Sequence, residues 1–403
     1  MTTSDGANRY YRPAPAGGRS RHVRAVLIGC RNQRINHKRR RESETPAQEW
    51  ALTNSRKTTS VPIHGELSVP VRVICNPVHA AHVPPHEVDN GVVVPPWEVP
   101  ARYDAIRAAL AARGGFAFED APQLAEDVVC GLHDPGYVAY LRDTSAALAA
   151  GEWVMPSVFP FAPGAARGEK ARRGTYCFDT FTAITAGTFA AALGGAAAAY
   201  RGAELLASEA ERTVYALTRP PGHHAEHARC GGYSFLNSAA LAAAALSAHG
   251  PVAVLDLDVH HGNGTQHLFY ARADVLTVSI HGDPAGLFPY FSGFADETGT
   301  GAGLGLNVNL PLPLGTDEAG YRPALAAALG RVAAFRPAFL VVPFGTDAHE
   351  ADPIGGLCLP TGFYAELGAA VRALGLPALV LQEGGYDVAT MGECVAAFLG
   401  ALA

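Results

Sequence analysis

From Val71 onward, short apolar runs alternate with longer Ala-rich stretches of helical character. Val71-Arg-Val-Ile-Cys75 reads as a first strand, and Ala101 to Arg113 as a helix stopped by Gly114-Gly115. Further strands are expected at Thr213–Leu217, Val252–Leu257, Val275–Ile280, Phe339–Val342 and Ala378–Leu381. Helices are expected near Thr188–Leu206, Ser238–Ala248, Tyr321–Phe335 and Gly362–Leu374. Runs that stay apolar at every position are buried on both faces. Strands of that kind separated by helices build a parallel sheet with helices on both faces, the α/β class.

Residues 1–70 lack this grammar. Four cations stand in a row from Lys38 to Arg41, and the segment mixes Ser, Thr, Asn, Pro and Gly without sustained apolar periodicity. It buries too little to offset its ordering entropy, so a basic, disordered N-terminal extension is expected over residues 1–70, ahead of one folded domain at 71–403. The charge divides at the same boundary. Lys and Arg outnumber Asp and Glu by 13 to 5 before residue 71, whereas 18 stand against 32 after it. An acidic body is unsuited to phosphate backbones, which excludes nucleic acid as the expected partner, and it favours a small cation.

Seven cysteines without a CxxC pair argue against both a disulfide scaffold and a thiolate zinc site. No apolar run is long enough for a membrane span, so no membrane partner is expected and the cytoplasm is the expected location.

Candidate chemistry lies where the strands end. Every expected strand after the first runs into a polar cluster: Arg219-Pro-Pro-Gly-His-His224, Asp256-Leu-Asp-Val-His-His-Gly-Asn263, Ser279-Ile-His-Gly-Asp283, Gly345-Thr-Asp-Ala-His349 and Gln382-Glu-Gly-Gly-Tyr386. In parallel sheets, ligands bind beyond the carboxyl ends of the strands, so five clusters converge on one edge. Asp258 and His260, two apart on an extended segment, point the same way and can meet one ion, with Asp347 as a third ligand. Three protein ligands leave a position open for water, the arrangement of a catalytic rather than structural metal. A lone Asp-x-His commonly caps a strand, and it is the four neighbouring clusters that change its meaning. Of the tandem pair His223-His224, one imidazole can act as base toward a water and then as acid toward the leaving group. The Tyr386 phenol can stabilise an oxyanion.

These motifs resemble the histone deacetylase family. Arg-Pro-Pro-Gly-His-His, Asp-Leu-Asp-Val-His-His-Gly-Asn-Gly-Thr-Gln, Gly-x-Asp-Ala-His-x-x-Asp-Pro and Glu-Gly-Gly-Tyr occur in the family's order, and the whole chain except the tail is similar to its bacterial acetylpolyamine amidohydrolase branch. The resemblance implies an arginase-like (deacetylase) α/β fold with an eight-stranded parallel sheet, a deacetylase catalytic domain at 71–403, and a dimer as oligomer. It implies one catalytic Zn2+ on Asp258, His260 and Asp347, the proton-transfer pair at His223 and His224, and the oxyanion donor at Tyr386. Asp256 matches the carboxylate partner of His223, and Asn263 the neutral partner of His224, so His223 is expected to be the protonated member and His224 the base. A structural K+ maps to the Asp256 and Ser279 side chains with backbone carbonyls of Asp258, His260 and Ile280. Relatives with two metals use Asp-x-His-x-Asp; here the last position is Gly262, which favours one metal.

For substrate, Glu87 matches a mouth carboxylate for a distal ammonium, and Gly232, Tyr233 and Phe288 match the channel walls. Phe181 stands where some polyamine-preferring relatives carry a glutamate, and Ile354 where a eukaryotic polyamine deacetylase has an acidic gatekeeper. The expected function is a zinc-dependent amidohydrolase removing acetyl groups from small cationic N-acetylated amines, foremost acetylpolyamines. An acetyl-lysine deacetylase and a catalytically silent metal-binding homologue are the alternatives.

Overall fold

The computed structural model describes residues 70–160 and 167–403; the extension expected over residues 1–70 lies outside them apart from Pro70. In chain order the strands are β1 (Val71–Cys75), the hairpin β2 (Glu87–Asp89) and β3 (Val92–Val94), β4 (Phe116–Asp120), the short ladder β5 (Trp153–Val154) with β6 (Ile184–Thr185), then β7 (Thr213–Leu217), β8 (Val252–Asp256), β9 (Val275–Gly282), β10 (Asn307–Leu312), β11 (Phe339–Phe344) and β12 (Ala378–Gln382). Eight of them form a wholly parallel sheet in the order β10-β9-β8-β11-β12-β7-β1-β4.

The central strands are the continuous apolar runs, and every residue of β8, β9 and β12 is buried. On one face, helices Pro100–Arg113, Glu318–Phe335, Phe363–Arg372 and Met391–Leu402 cover residues such as Leu255, Val278, Leu340 and Val380. Helices Thr188–Ala207 and Ser238–Ser247 cover Val214, Val254, Val341 and Leu379 on the other. These two helices are built from Ala and Gly because the sheet lies close beneath them: a Cβ on Gly202 would sit 2.5 Å from Leu379 Cδ1. Asn237 caps the second, its side-chain oxygen accepting from Ala240 N at 2.8 Å.

Among the sheet strands, β4 and β10 escape the sequence reading. β4 is Phe-Ala-Phe-Glu-Asp, only partly buried, and β10 is Asn-Val-Asn-Leu-Pro-Leu, with polar residues and a proline. Both lie at sheet edges, where half-exposed and proline-containing strands are tolerated. β7, β8, β9, β11 and β12 are contiguous and parallel, so their carboxyl ends share one stretch of the sheet edge.

Candidate active site

The segment leaving β8 folds back on itself. His260 N donates to Asp258 Oδ1 at 2.9 Å, Val259 N to Asp347 Oδ1 at 3.0 Å, and Gly384 N to Asp258 Oδ2 at 2.7 Å, so the loops after β8, β11 and β12 are laced together. His260 Nδ1 lies 3.3 Å from Asp258 Oδ1 and 3.2 Å from Asp347 Oδ2. One ligand atom from each of the three residues falls within 4.8 Å of the others, and all three are buried. Two buried carboxylates facing one another are costly without a cation between them. The backbone around them leaves no room for a side chain: a Cβ on Gly345 would sit 2.1 Å from Asp258 Oδ2, and one on Gly384 1.9 Å from Asp347 Oδ2. Two carboxylates and an imidazole in such a cradle fit a divalent ion.

His223 and His224 follow β7 on a turn held by Glu383, whose Oε2 accepts from Gly222 N at 2.6 Å and His223 N at 3.1 Å. His223 Nδ1 meets Asp256 Oδ2 at 3.0 Å. Burial would lower its proton affinity, but the Asp256 and Asp258 carboxylates outweigh that and hold the imidazole at about 10. His224 Nδ1 meets Asn263 Oδ1 at 2.8 Å. The Asn263 amide is oriented by its Nδ2, which donates to Glu226 Oε1 at 3.1 Å, so its oxygen faces His224 and Nδ1 carries the proton, leaving Nε2 as a free acceptor. Burial, then the neighbouring His223 and His260 imidazoles, push His224 well below its ordinary value.

Tyr386 follows β12 and is 7% exposed. Burial raises its phenol well above the usual range, so it stays a hydrogen-bond donor. Its backbone N donates to Asp352 Oδ2 at 2.7 Å, and the Arg102 guanidinium lies 4.6 Å from its ring centre. Asp256 and Ser279 are register partners on β8 and β9, next to Ile280, and both line one small cavity; the Ser279 hydroxyl pairs with His281 Nδ1 at 2.7 Å.

A cavity of about 490 Å3 reaches this edge from solvent, with His224, His260 and Tyr386 among its lining residues and Tyr233, Phe288 and Phe181 in its walls. The Phe288 ring lies 4.9 Å from His224 and 5.4 Å from Phe181. Tyr233 adopts φ +62° after Gly232 at φ +55°, and Gly232 has to be glycine because a Cβ there would reach 2.2 Å from the His224 ring. Asp179 fixes this turn, taking Gly232 N at 2.6 Å on Oδ2.

Glu87 differs from the expected mouth carboxylate. It lines the cavity but is 3% exposed, with Oε1 accepting from Trp97 N at 2.8 Å and Oε2 from the Tyr233 hydroxyl at 2.9 Å. Hairpin β2–β3 and the following Pro-Pro-Trp segment fold over it, and burial raises its carboxyl to about 7. Asp89, two residues on, is the exposed carboxylate of the same cavity. Sequence reasoning overlooked Asp179, Arg102 and Asp352, which act on backbone atoms; only Glu98 and Arg102, four apart at a helix start, carried a readable pairing signal.

A parallel sheet carrying these loops on one edge is the arginase-like α/β class. A family model for the histone deacetylase domain matches residues 96–402, and the chain belongs to the histone deacetylase family. It is 41% identical to the acetylpolyamine amidohydrolase of Mycoplana ramosa over 83% of this chain and 100% of that protein. It is 40% identical to acetylpolyamine amidohydrolase 2 of Pseudomonas aeruginosa over 78% of this chain and 93% of the relative. The crystal structure of the acetylpolyamine aminohydrolase from Burkholderia pseudomallei superposes with a TM-score of 0.79 at 36% identity, covering 82% of this chain and 98% of that one.

Proposed function

We propose that this chain is a zinc-dependent deacetylase of acetylpolyamines. The observation that carries the reading is the buried Asp258, His260 and Asp347 triad at the inner end of a channel that also presents His224 and Tyr386. The relatives named acetylpolyamine amidohydrolase, similar over most of their length, support the substrate class.

Asp258, His260 and Asp347 would hold the zinc, whose chemistry when bound is to polarise the acetyl carbonyl and acidify water. Two carboxylate ligands blunt that polarisation, which is why the Tyr386 hydroxyl matters: it donates to the oxygen that becomes negative as the carbonyl carbon turns tetrahedral. His224, neutral with Nε2 free, accepts the proton of the attacking water. His223, kept cationic by Asp256, stabilises the negative charge that builds beside it. Collapse breaks the C–N bond, and the proton held at His224 passes to the departing amine, so acetate and a free amine leave. Phe181, Tyr233 and Phe288 admit a slender alkyl chain and exclude water. Glu87 on the wall supplies negative charge to a distal ammonium. On the same footing a K+ is assigned to Asp256 and Ser279 with the carbonyls of Asp258, His260 and Ile280, where it would brace the β8 loop.

The test is metal analysis paired with turnover of an acetylated diamine. One tightly bound divalent ion per chain is expected, and Asp258→Ala is expected to remove metal and activity together. Two tightly bound divalent ions per chain, or undiminished divalent-ion occupancy in Asp258→Ala, would contradict the assignment.

A further inference from the structure

Beneath the channel lies a cluster of buried charges that the chemistry above does not use. Glu98 is fully buried, and its Oε1 pairs with Arg102 Nη1 at 2.8 Å and Arg219 Nε at 2.8 Å, while Oε2 takes Arg219 Nη2 at 2.9 Å. His82, 3.8 Å from Glu98 and kept neutral by burial at about 4, adds no compensating charge. One carboxylate thus holds two guanidinium groups.

The remaining donors of those groups go to backbone oxygens of the loops around the site. Arg102 Nε donates to Gly385 O at 2.5 Å and Nη2 to Glu383 O at 2.6 Å, the carbonyls one and three residues before Tyr386. Arg219 opens the turn that carries His223 and His224, and it donates to His79 O at 2.5 Å and His82 O at 2.9 Å. A guanidinium is a planar fork, so its orientation sets where both carbonyls lie. The Arg102 fork is itself oriented by Glu98.

We propose that Glu98 is a positioning residue for catalysis, which acts through Arg102 to fix the loop that aims the Tyr386 hydroxyl at the reacting carbonyl. It rests on the deacetylase reading of Tyr386. An oxyanion donor works only where its hydrogen bond meets the transition state, and displacement of catalytic geometry by about 1 Å costs up to about 100-fold in rate. A carboxylate that merely stabilised the fold would lower the yield of folded enzyme without selectively lowering kcat.

The experiment is steady-state kinetics on N-acetylputrescine with metal-loaded wild type, Glu98→Gln, Tyr386→Phe and the double variant. Glu98→Gln is expected to keep metal content and KM and to lose about 10- to 100-fold in kcat. In the Tyr386→Phe background the same change is expected to alter kcat by no more than about twofold, since the donor it positions is gone. Arg102→Lys keeps the charge but not the fork, and it is expected to show the same split and the same non-additivity. It replaces Glu98→Gln in the cycle if that variant does not fold. Wild-type kcat in either variant, or an equal loss in both backgrounds, overturns the proposal while leaving the deacetylase reading intact. Wild-type turnover in Tyr386→Phe alone overturns the oxyanion role, and the proposal with it.

Discussion

His223 and His224 are adjacent in the chain and bonded through Nδ1 to Asp256 and Asn263, yet burial and the neighbouring imidazoles lower the proton affinity of His224, while the Asp256 and Asp258 carboxylates outweigh burial and raise that of His223. Tyr386 is the proposed donor to the oxyanion. Tyr386→Phe is expected to retain metal and lose about 100- to 1000-fold in turnover, the usual loss for one oxyanion donor. Wild-type turnover in a chemistry-limited assay would remove Tyr386 from that role. Glu87 gives the pH dependence. Burial raises its carboxyl to about 7 from the ordinary 4.5, so it is neutral below that value and ionised above it. The ratio of kcat/KM for a cationic acetylpolyamine to that for a neutral acetyl amide is expected to rise as pH passes upward through about 7, and Glu87→Gln is expected to flatten the rise. The stability effect has the opposite sign. The unfolded chain ionises first, so Glu87 favours the fold below 4.5, and this contribution is lost as pH rises to about 7. A ratio unchanged by Glu87→Gln would make that carboxylate a bystander. The pairing of Glu87 with Tyr233 was not legible in sequence because the two are 146 residues apart and meet only when the hairpin folds over the channel.

At the level of elements, the loops after β8, β11 and β12 form one unit, held by backbone donors on carboxylates and closed by glycines. Gly384→Ala would drive a Cβ to within 1.9 Å of Asp347 Oδ2 and 2.6 Å of Asp258 Oδ2, and it is expected to lower metal occupancy along with activity. Gly362→Ala, at a helical position with nothing within 4 Å, is expected to leave both unchanged. Metal analysis of the two variants checks the pair, and full occupancy in Gly384→Ala would contradict the cradle. The central strands could be read because a segment buried on both faces has to be apolar at every position, as in Val-Ala-Val-Leu of β8. β10 could not, because edge position relaxes that demand and admits Asn307, Asn309 and Pro311. Hairpin β2–β3 was missed for a related reason: three-residue strands flanked by prolines carry no periodicity to detect, although they shape the channel mouth.

At the scale of the whole molecule, an acidic body surrounds a narrow, aromatic-walled channel. Phe181 meets Phe288 edge-on in its wall, Phe178 stacks on Phe288, and Ile354 also lines the cavity, so the proposed cation selection rests on Glu87 with Asp89 nearer solvent. An exposed pair contributes about 0–1 kcal/mol, whereas a charge on a buried wall is screened less. A slender acetylated diamine can thread this channel and keep its ammonium near Glu87. An acetyl-lysine within a peptide must also bring its backbone to the rim. The deciding measurement is kcat/KM of the metal-loaded enzyme for N-acetylputrescine beside an acetyl-lysine peptide. The acetylated diamine is expected to be the better substrate. Preferential turnover of the peptide, or no turnover of either by fully metal-loaded protein, would contradict it.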